Sequence, residues 1–193
     1  LMKRICVFCG SNPGINPAYL QTARQIGTLL AEKGIGLVYG GASIGIMGEV
    51  ADAALEVGGE VIGIIPKVLA KKEIAHPNLS DLKIVESMHA RKALMAELSD
   101  GFIALPGGLG TFEELFEILT WAQLGLHAKP CGLLNVAHYY DKLVEFLKHA
   151  VGEQFIKKKH HALLLIDKDP KLLLAKFESF QAPKLEKVSG LVG

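Results

Sequence analysis

Several features that would point to a ready interpretation are missing from this sequence. No apolar run approaches the roughly 18 to 20 residues that a membrane-spanning helix needs, so no membrane association is expected. Neither sign of charge dominates: 21 Lys+Arg stand against 20 Asp+Glu, a formal net charge of +1. No global field therefore draws the chain to nucleic acid or to an anionic surface. The three cysteines, Cys6, Cys9 and Cys131, are too few and too odd in number for a disulfide framework. Cys6-x-x-Cys9 raises a redox or metal question, but the pair lies in a predicted strand, where residues three apart point to opposite faces. Buried thiols and no metal are the expectation. The first residues, "LMKRICVFCG", lack the long apolar region and cleavage site of a signal peptide, so a cytosolic location is expected. Two nucleotide-binding fingerprints are absent as well. The first strand ends in Gly10-Ser11-Asn12 instead of G-x-G-x-x-G, the second ends in Tyr39 instead of an acidic residue, and no Gly-Lys is followed by Ser or Thr. NAD reduction and Walker-type ATP hydrolysis drop away.

What is present is an alternation. In 193 residues, half of them apolar, short runs such as "RICVFCG" (4 to 10), "GLVYGG" (36 to 41) and "EVIGIIP" (60 to 66) alternate with amphipathic segments. The latter include "PAYLQTARQIGTLLAEKG" (17 to 34) and "IMGEVADAALEVG" (46 to 58). After an irregular stretch from Lys67 to Ser80, "LKIVES", "MHARKALMAELS", "GFIALP", "TFEELFEILTWAQLG", "KPCGLLNV" and "YYDKLVEFLKHAV" continue the pattern. Strands rich in Val, Ile and Leu between helices predict a mainly parallel sheet covered on both faces. The expectation is one α/β domain spanning 1 to 193, a Rossmann-like doubly wound sheet of six or seven strands. "ALLLI" (162 to 166) would be the last strand, "DPKLLLAKFESF" (169 to 180) the closing helix, and the tail from about 181 loosely held.

In such sheets ligands sit beyond the carboxyl ends of the strands. The turn "CGSNPG" offers Gly10 and Ser11, and "YGGASIGIMGE" offers Gly40 and Gly41, as backbone that can approach an anion. The third turn, "PGGLGTFEE", places Gly107, Gly108 and Gly110 before a predicted helix start at Thr111, with Thr111 and Glu114 spaced as a capping box. A capping box does not account for three glycines, nor for a carboxylate beside a phosphate seat, which it would repel. Work on a cationic centre would account for it. In glycosidic cleavage the sugar becomes oxocarbenium-like, and a carboxylate can stabilise it or activate water. The helix "MHARKALMAEL" carries Arg91 and Lys92 in its first turn, against the helix dipole, so other groups are expected to hold them. Arg91 could grip both phosphate and carboxylate.

Taken together, "YGGASIGIMG", "IIPKVLAKKE", "MHARKALM", "PGGLGTFEE" and "TWAQLGLHAKPCGLLN" resemble the Lonely Guy family of cytokinin riboside 5'-monophosphate phosphoribohydrolases, from about Ile5 to about Leu147. M-x-x-R-K and P-G-G-x-G-T-x-x-E are specific in combination. The resemblance implies hydrolysis of a nucleoside 5'-monophosphate to free base and ribose 5-phosphate, with no metal or organic cofactor, by a homodimer. It implies Arg91 and Glu114 as the catalytic pair. It implies substrate contacts at Glu73, Arg91, Lys92, the run Gly107, Gly108, Leu109, Gly110, Thr111, Phe112 and Glu113, and Thr120. Glu113 would bind the ribose hydroxyls. Similar proteins carry an older lysine decarboxylase label, but no lysine here sits in a recognisable Schiff-base setting. A general AMP nucleosidase and a non-catalytic nucleotide-binding module remain alternatives. An apolar pocket for an N6 substituent discriminates only by roughly 1 to 3 kcal/mol per methylene.

Overall fold

The computed structural model describes residues 2–70 and 75–183. Its strands are β1 (Arg4–Phe8), β2 (Gly36–Tyr39), β3 (Val61–Pro66), β4 (Asp81–Val85), β5 (Gly101–Ala104), β6 (Cys131–Leu134) and β7 (Leu164–Asp167). They form one seven-stranded sheet in the order β4-β3-β2-β1-β5-β6-β7, and every neighbouring pair is parallel. Helices α1 (Ala18–Glu32), α2 (Gly45–Glu56), α3 (Lys67–Ala70), α4 (Met88–Leu98), α5 (Leu109–Gln123), α6 (Asp141–Gly152), α7 (Lys158–His161) and α8 (Pro170–Glu178) fill the connections. The doubly wound expectation holds, at the upper end of its strand count.

The two-residue period of the strands sorts the core. Ile5, Val7, Leu37 and Tyr39 pack with Ile26 and Leu30 of α1, Val50 of α2 and Phe177 of α8. Cys6, Phe8, Val38 and Phe102 face the other way, onto Met95 of α4 and Ile118 of α5. A third cluster joins Ala104, Leu133 and Leu164 to Leu115 of α5 and to Tyr140 and Leu147. Cys6 and Cys9 fall in different clusters, and all three cysteines are buried and unbridged.

The strand order places the site. From β1 the chain winds outward through β2 and β3 to β4, then returns to lay β5 on the other side of β1. Adjacent strands whose connections leave in opposite directions open a crevice beyond their carboxyl ends. Here that crevice lies between the turn after Phe8 and the turn after Ala104.

The last helix carries a strong local start signal. Asp169 is its N-cap, accepting from the backbone N–H of Lys171 at 2.8 Å and of Leu172 at 3.0 Å, with Pro170 in the first turn, where its missing N–H costs nothing. The helix then buries Leu173, Leu174 and Phe177. Asp169→Ala is expected to lower the unfolding free energy by about 1 kcal/mol, read from urea denaturation, with Asp169→Asn close to the parent. Equal stability of all three would mean that the cap contributes nothing.

Candidate functional site

The crevice holds a cavity of about 520 Å³. Its floor is stitched by backbone: the Gly10 N–H donates to the Pro106 carbonyl at 3.1 Å, and the Met47 N–H to the Gly10 carbonyl at 3.3 Å. Gly10, Ser11, Gly40, Gly107, Gly108, Leu109, Gly110, Thr111, Arg91 and Glu114 all line it. Three separate turns and two helices thus meet around one space.

One boundary differs from expectation. Helix α5 begins at Leu109 with Gly108 as N-cap and no side-chain cap, so Thr111 is the third helical residue and the capping box does not form. The glycines therefore belong to the helix start itself, and the unpaired N–H groups of that first turn carry the positive end of the helix dipole. Gly107 is confined sterically: a β-carbon there would collide with the Thr111 hydroxyl and lie 2.9 Å from the Gly10 nitrogen.

Arg91 and Lys92 are not a solvated basic pair. Both are buried, at 6% and 9% exposure, on the helix capped by the Ser87 hydroxyl, which accepts from the Ala90 N–H. Arg91 Nε donates to the Ile64 carbonyl at 2.9 Å and Nη2 to the Gly40 carbonyl at 2.8 Å. Gly40 cannot carry a side chain, because a β-carbon would overlap Nη2. The expected grip of Arg91 on the Glu114 carboxylate is not seen among the described residues; the carbonyls of Gly40, just after β2, and of Ile64, within β3, hold the guanidinium instead. Lys92 turns away from the cavity to Glu113 at 2.5 Å and Glu117 at 3.0 Å. Burial opposes its charge, but the two carboxylates outweigh burial and raise its pKa.

Glu114 is the carboxylate left over. Six residues past the N-cap, it lies on the same helical face as Gly110 and Thr111. Burial raises its pKa from 4.5 to about 7, opposed by the Arg91 charge and reinforced by Glu113. A carboxylic acid poised near neutrality in a cleft, with a cation beside it, is a marker of a chemically active site.

Other expected contacts lie elsewhere. Phe112 turns into the core against Tyr140, ring centroids 6.2 Å apart, and Glu113 is exposed and paired with Lys92. Gly41 adopts φ +83° and accepts from the His76 N–H at 2.9 Å, serving the turn and not the cavity wall. Thr120 sits about two and a half helical turns further on, roughly 13 Å from Thr111 by the rise per residue. Its hydroxyl donates to the Phe116 carbonyl, and it borders a separate, smaller cavity. Glu73 lies outside the described residues. The cavity wall also contains residues that sequence reasoning passed over: Cys9, Tyr19, Met47 and Tyr139. Tyr19 and Met47 were legible as helix residues, but no local pattern marks which helix residues overhang a distant turn.

A doubly wound parallel sheet with a glycine-built helix start, a buried arginine and a neutral-range carboxylate around one cavity at its switch point defines a Rossmann-type α/β protein. Residues 47–177 match the family described as "Possible lysine decarboxylase", and the chain belongs to that family. It is 49% identical over 187 residues, covering 97% of this chain and 87% of the relative, to cytokinin riboside 5'-monophosphate phosphoribohydrolase LOG1 of Arabidopsis thaliana. It is 51% identical over 168 residues, covering 86% of this chain and 85% of the relative, to the cytokinin riboside 5'-monophosphate phosphoribohydrolase of Rhodococcoides fascians. In fold it is similar to the molybdenum cofactor binding protein of Rippkaea orientalis, with a TM-score of 0.70 at 24% identity, covering 93% of this chain and 97% of that one. Among the described residues no lysine lines the cavity, and Lys92 is held by two carboxylates outside it, so none of the described lysines is placed to form a Schiff base there.

The Glu114 shift has a consequence for stability. Below about pH 4.5 the carboxyl is protonated in both folded and unfolded chains. As pH rises toward 7 the unfolded chain releases its proton first, so folding loses stability, and the loss is complete above the folded pKa. Glu114→Gln is therefore expected to stabilise the protein at pH 8 by roughly 2 kcal/mol, the full shift being discounted for partial solvent access, with no gain at pH 4. Denaturation curves at the two pH values measure this, and a pH-independent difference would contradict the assignment.

Proposed function

We propose that this protein hydrolyses the N-glycosidic bond of N6-substituted adenosine 5'-monophosphates, releasing the free base and ribose 5-phosphate, as a cytokinin riboside 5'-monophosphate phosphoribohydrolase. The observation that carries this reading is the isolated carboxyl of Glu114, in one cavity with a helix start suited to an anion and with the Arg91 guanidinium. Relatives of that name at about half identity over most of the chain support it.

In this reading the 5'-phosphate is received by backbone N–H groups of the Gly107-to-Thr111 segment, where the helix dipole adds to their pull. Glu114, ionised, faces the anomeric carbon, stabilises the oxocarbenium-like sugar and orients the attacking water. Arg91 has two of its five N–H donors committed to carbonyls; its remaining edge and its charge meet the phosphate and keep Glu114 ionisable beside it. Lys92 and Glu113 act at one remove: Lys92 pairs with Glu113 and Glu117 and offsets part of their charge, while Glu114 is the one of these three glutamates with no ion pair among the described residues. The homodimer implied by the resemblance belongs to the same reading, supported by the partly exposed apolar side chains Leu94 and Leu98 of α4 and Trp121 of α5. Light scattering is expected to give twice the chain mass, and a monomer at micromolar concentration would remove this element.

The decisive assay follows free base and ribose 5-phosphate from isopentenyladenosine monophosphate, AMP and adenosine. Preferential release from the prenylated monophosphate, none from adenosine, and a loss of at least about 10³-fold in kcat for Glu114→Gln are expected. Arg91→Ala should lose activity comparably. Equal or faster cleavage of AMP would move the reading to general nucleotide turnover, and no release from any substrate would leave a binding module. Because Glu114 works ionised, kcat/KM should rise with pH through about 7. A flat profile from pH 5.5 to 8.5 would take the carboxylate out of the mechanism.

A further inference from the structure

At an anion site the backbone carbonyls are the unwelcome groups, since their oxygens would face the ligand's negative charge. Three successive carbonyls leave β5 at the cavity edge, and each is occupied by a donor. The Leu105 carbonyl accepts from the Tyr140 hydroxyl at 2.6 Å, the Pro106 carbonyl from the Gly10 N–H at 3.1 Å, and the Gly107 carbonyl from the Tyr139 hydroxyl at 2.6 Å. Tyr140 is buried and Gly10 belongs to the floor. Tyr139 differs from both: it is 39% exposed and lines the cavity.

The placement of Tyr139 is strained and over-determined. It follows Ala137 at φ +47° and His138 at φ +63°, two left-handed residues with side chains, a conformation that costs each of them free energy. The turn is held by its own cross-links. The Asn135 side chain donates to Asp141 at 2.6 Å and accepts from the Tyr140 N–H at 2.8 Å, and the His138 ring contacts Asp141 at 3.0 Å. The Tyr139 ring is clamped edge-on between Tyr140, centroids 4.8 Å apart, and Tyr19 of α1, 5.7 Å apart. Strain retained beside a cavity, with the hydroxyl aimed at a single carbonyl, calls for a function in the cavity.

We infer that Tyr139 is a positioning residue of the phosphate seat: its hydroxyl holds the Gly107 carbonyl away from the ligand, so that the peptide groups following it present their N–H groups to the anion. The inference rests on the reading above that the Gly107-to-Thr111 segment receives a phosphate. It concerns anion affinity and leaves the bond-breaking step to Glu114. Without the hydroxyl, the Gly107 carbonyl is unpaired beside a dianion and its peptide can rotate toward it.

Tyr139→Phe keeps the ring and both aromatic contacts. Ribose 5-phosphate, the product of the proposed reaction, is titrated calorimetrically against parent and variant, alongside turnover of a nucleoside 5'-monophosphate and thermal melts. The expected result is a dissociation constant raised about tenfold, KM raised by the same factor and kcat within about twofold. The melting temperature should change little, because an exposed hydroxyl bond is lost from a turn held by other bonds. Equal ribose 5-phosphate affinity in the two proteins overturns the inference, as does a fall in kcat with affinity unchanged. If the parent binds ribose 5-phosphate but releases no base, the functional reading fails while the affinity comparison still decides the role of Tyr139. If the parent does not bind ribose 5-phosphate, both fail.

Discussion

A buried guanidinium that no carboxylate among the described residues pairs with organises this cavity. Arg91 is held by the carbonyls of Ile64 and Gly40, neutral acceptors that fix its position without cancelling its charge. The field of that cation is therefore available to its surroundings. It opposes the effect of burial on the Glu114 carboxyl and leaves it near neutrality, where a fully apolar pocket would keep it protonated. A glycine at position 40 is a steric consequence of this arrangement, since the guanidinium occupies the space of a side chain.

Helix geometry then separates three glutamates by role. Glu113 and Glu117 are one turn apart on a single face of α5 and share Lys92, while Glu114, about 100° further round the helix, points to the cavity with no ion pair among the described residues. Pairing two of three carboxylates lowers the local negative charge beside the helix start proposed to seat an anion. The remaining one can meet positive charge as it develops on a sugar. On the other side of the cavity the three carbonyls that follow β5 are each occupied by a donor. Both sides of the cavity share one feature: acceptors are paired with donors, Glu113 and Glu117 with Lys92 and the carbonyls that follow β5 with Tyr140, Gly10 and Tyr139.

Much of the architecture was legible in the sequence because it depends on local periodicity. Two-residue alternation in β1 assigns Ile5 and Val7 to one face and Cys6 and Phe8 to the other, and helical spacing over 88–98 and from Thr111 onward marks the elements that carry Arg91 and Glu114. Glycine-rich turns after β1, β2 and β5 fall where a doubly wound sheet puts its ligand. The extent of α5 was misjudged, since Thr-x-x-Glu imitates a capping box while Gly108, with less steric restriction, takes the N-cap three residues before Thr111. The roles of Lys92 and Thr120 could not be read at all. Whether a side chain one residue along a helix faces the cavity or a neighbouring helix depends on the rotation of that helix against the sheet.

By itself the sequence determined the class of fold, an alternation of six or seven strands with helices, and the identity of the polar residues that turns and helix starts could bring to the sheet's carboxyl edge. These follow from hydrophobic period and turn chemistry, which act over a few residues. The tertiary structure alone decided that Arg91 rests on carbonyls from two different strands, that Lys92 draws off Glu113 and Glu117, and that Tyr139, from a strained turn 32 residues beyond Gly107, closes the cavity edge. Contacts between residues far apart in the chain are set by the packing of whole elements against one another, and no local pattern encodes the distances at which those elements meet.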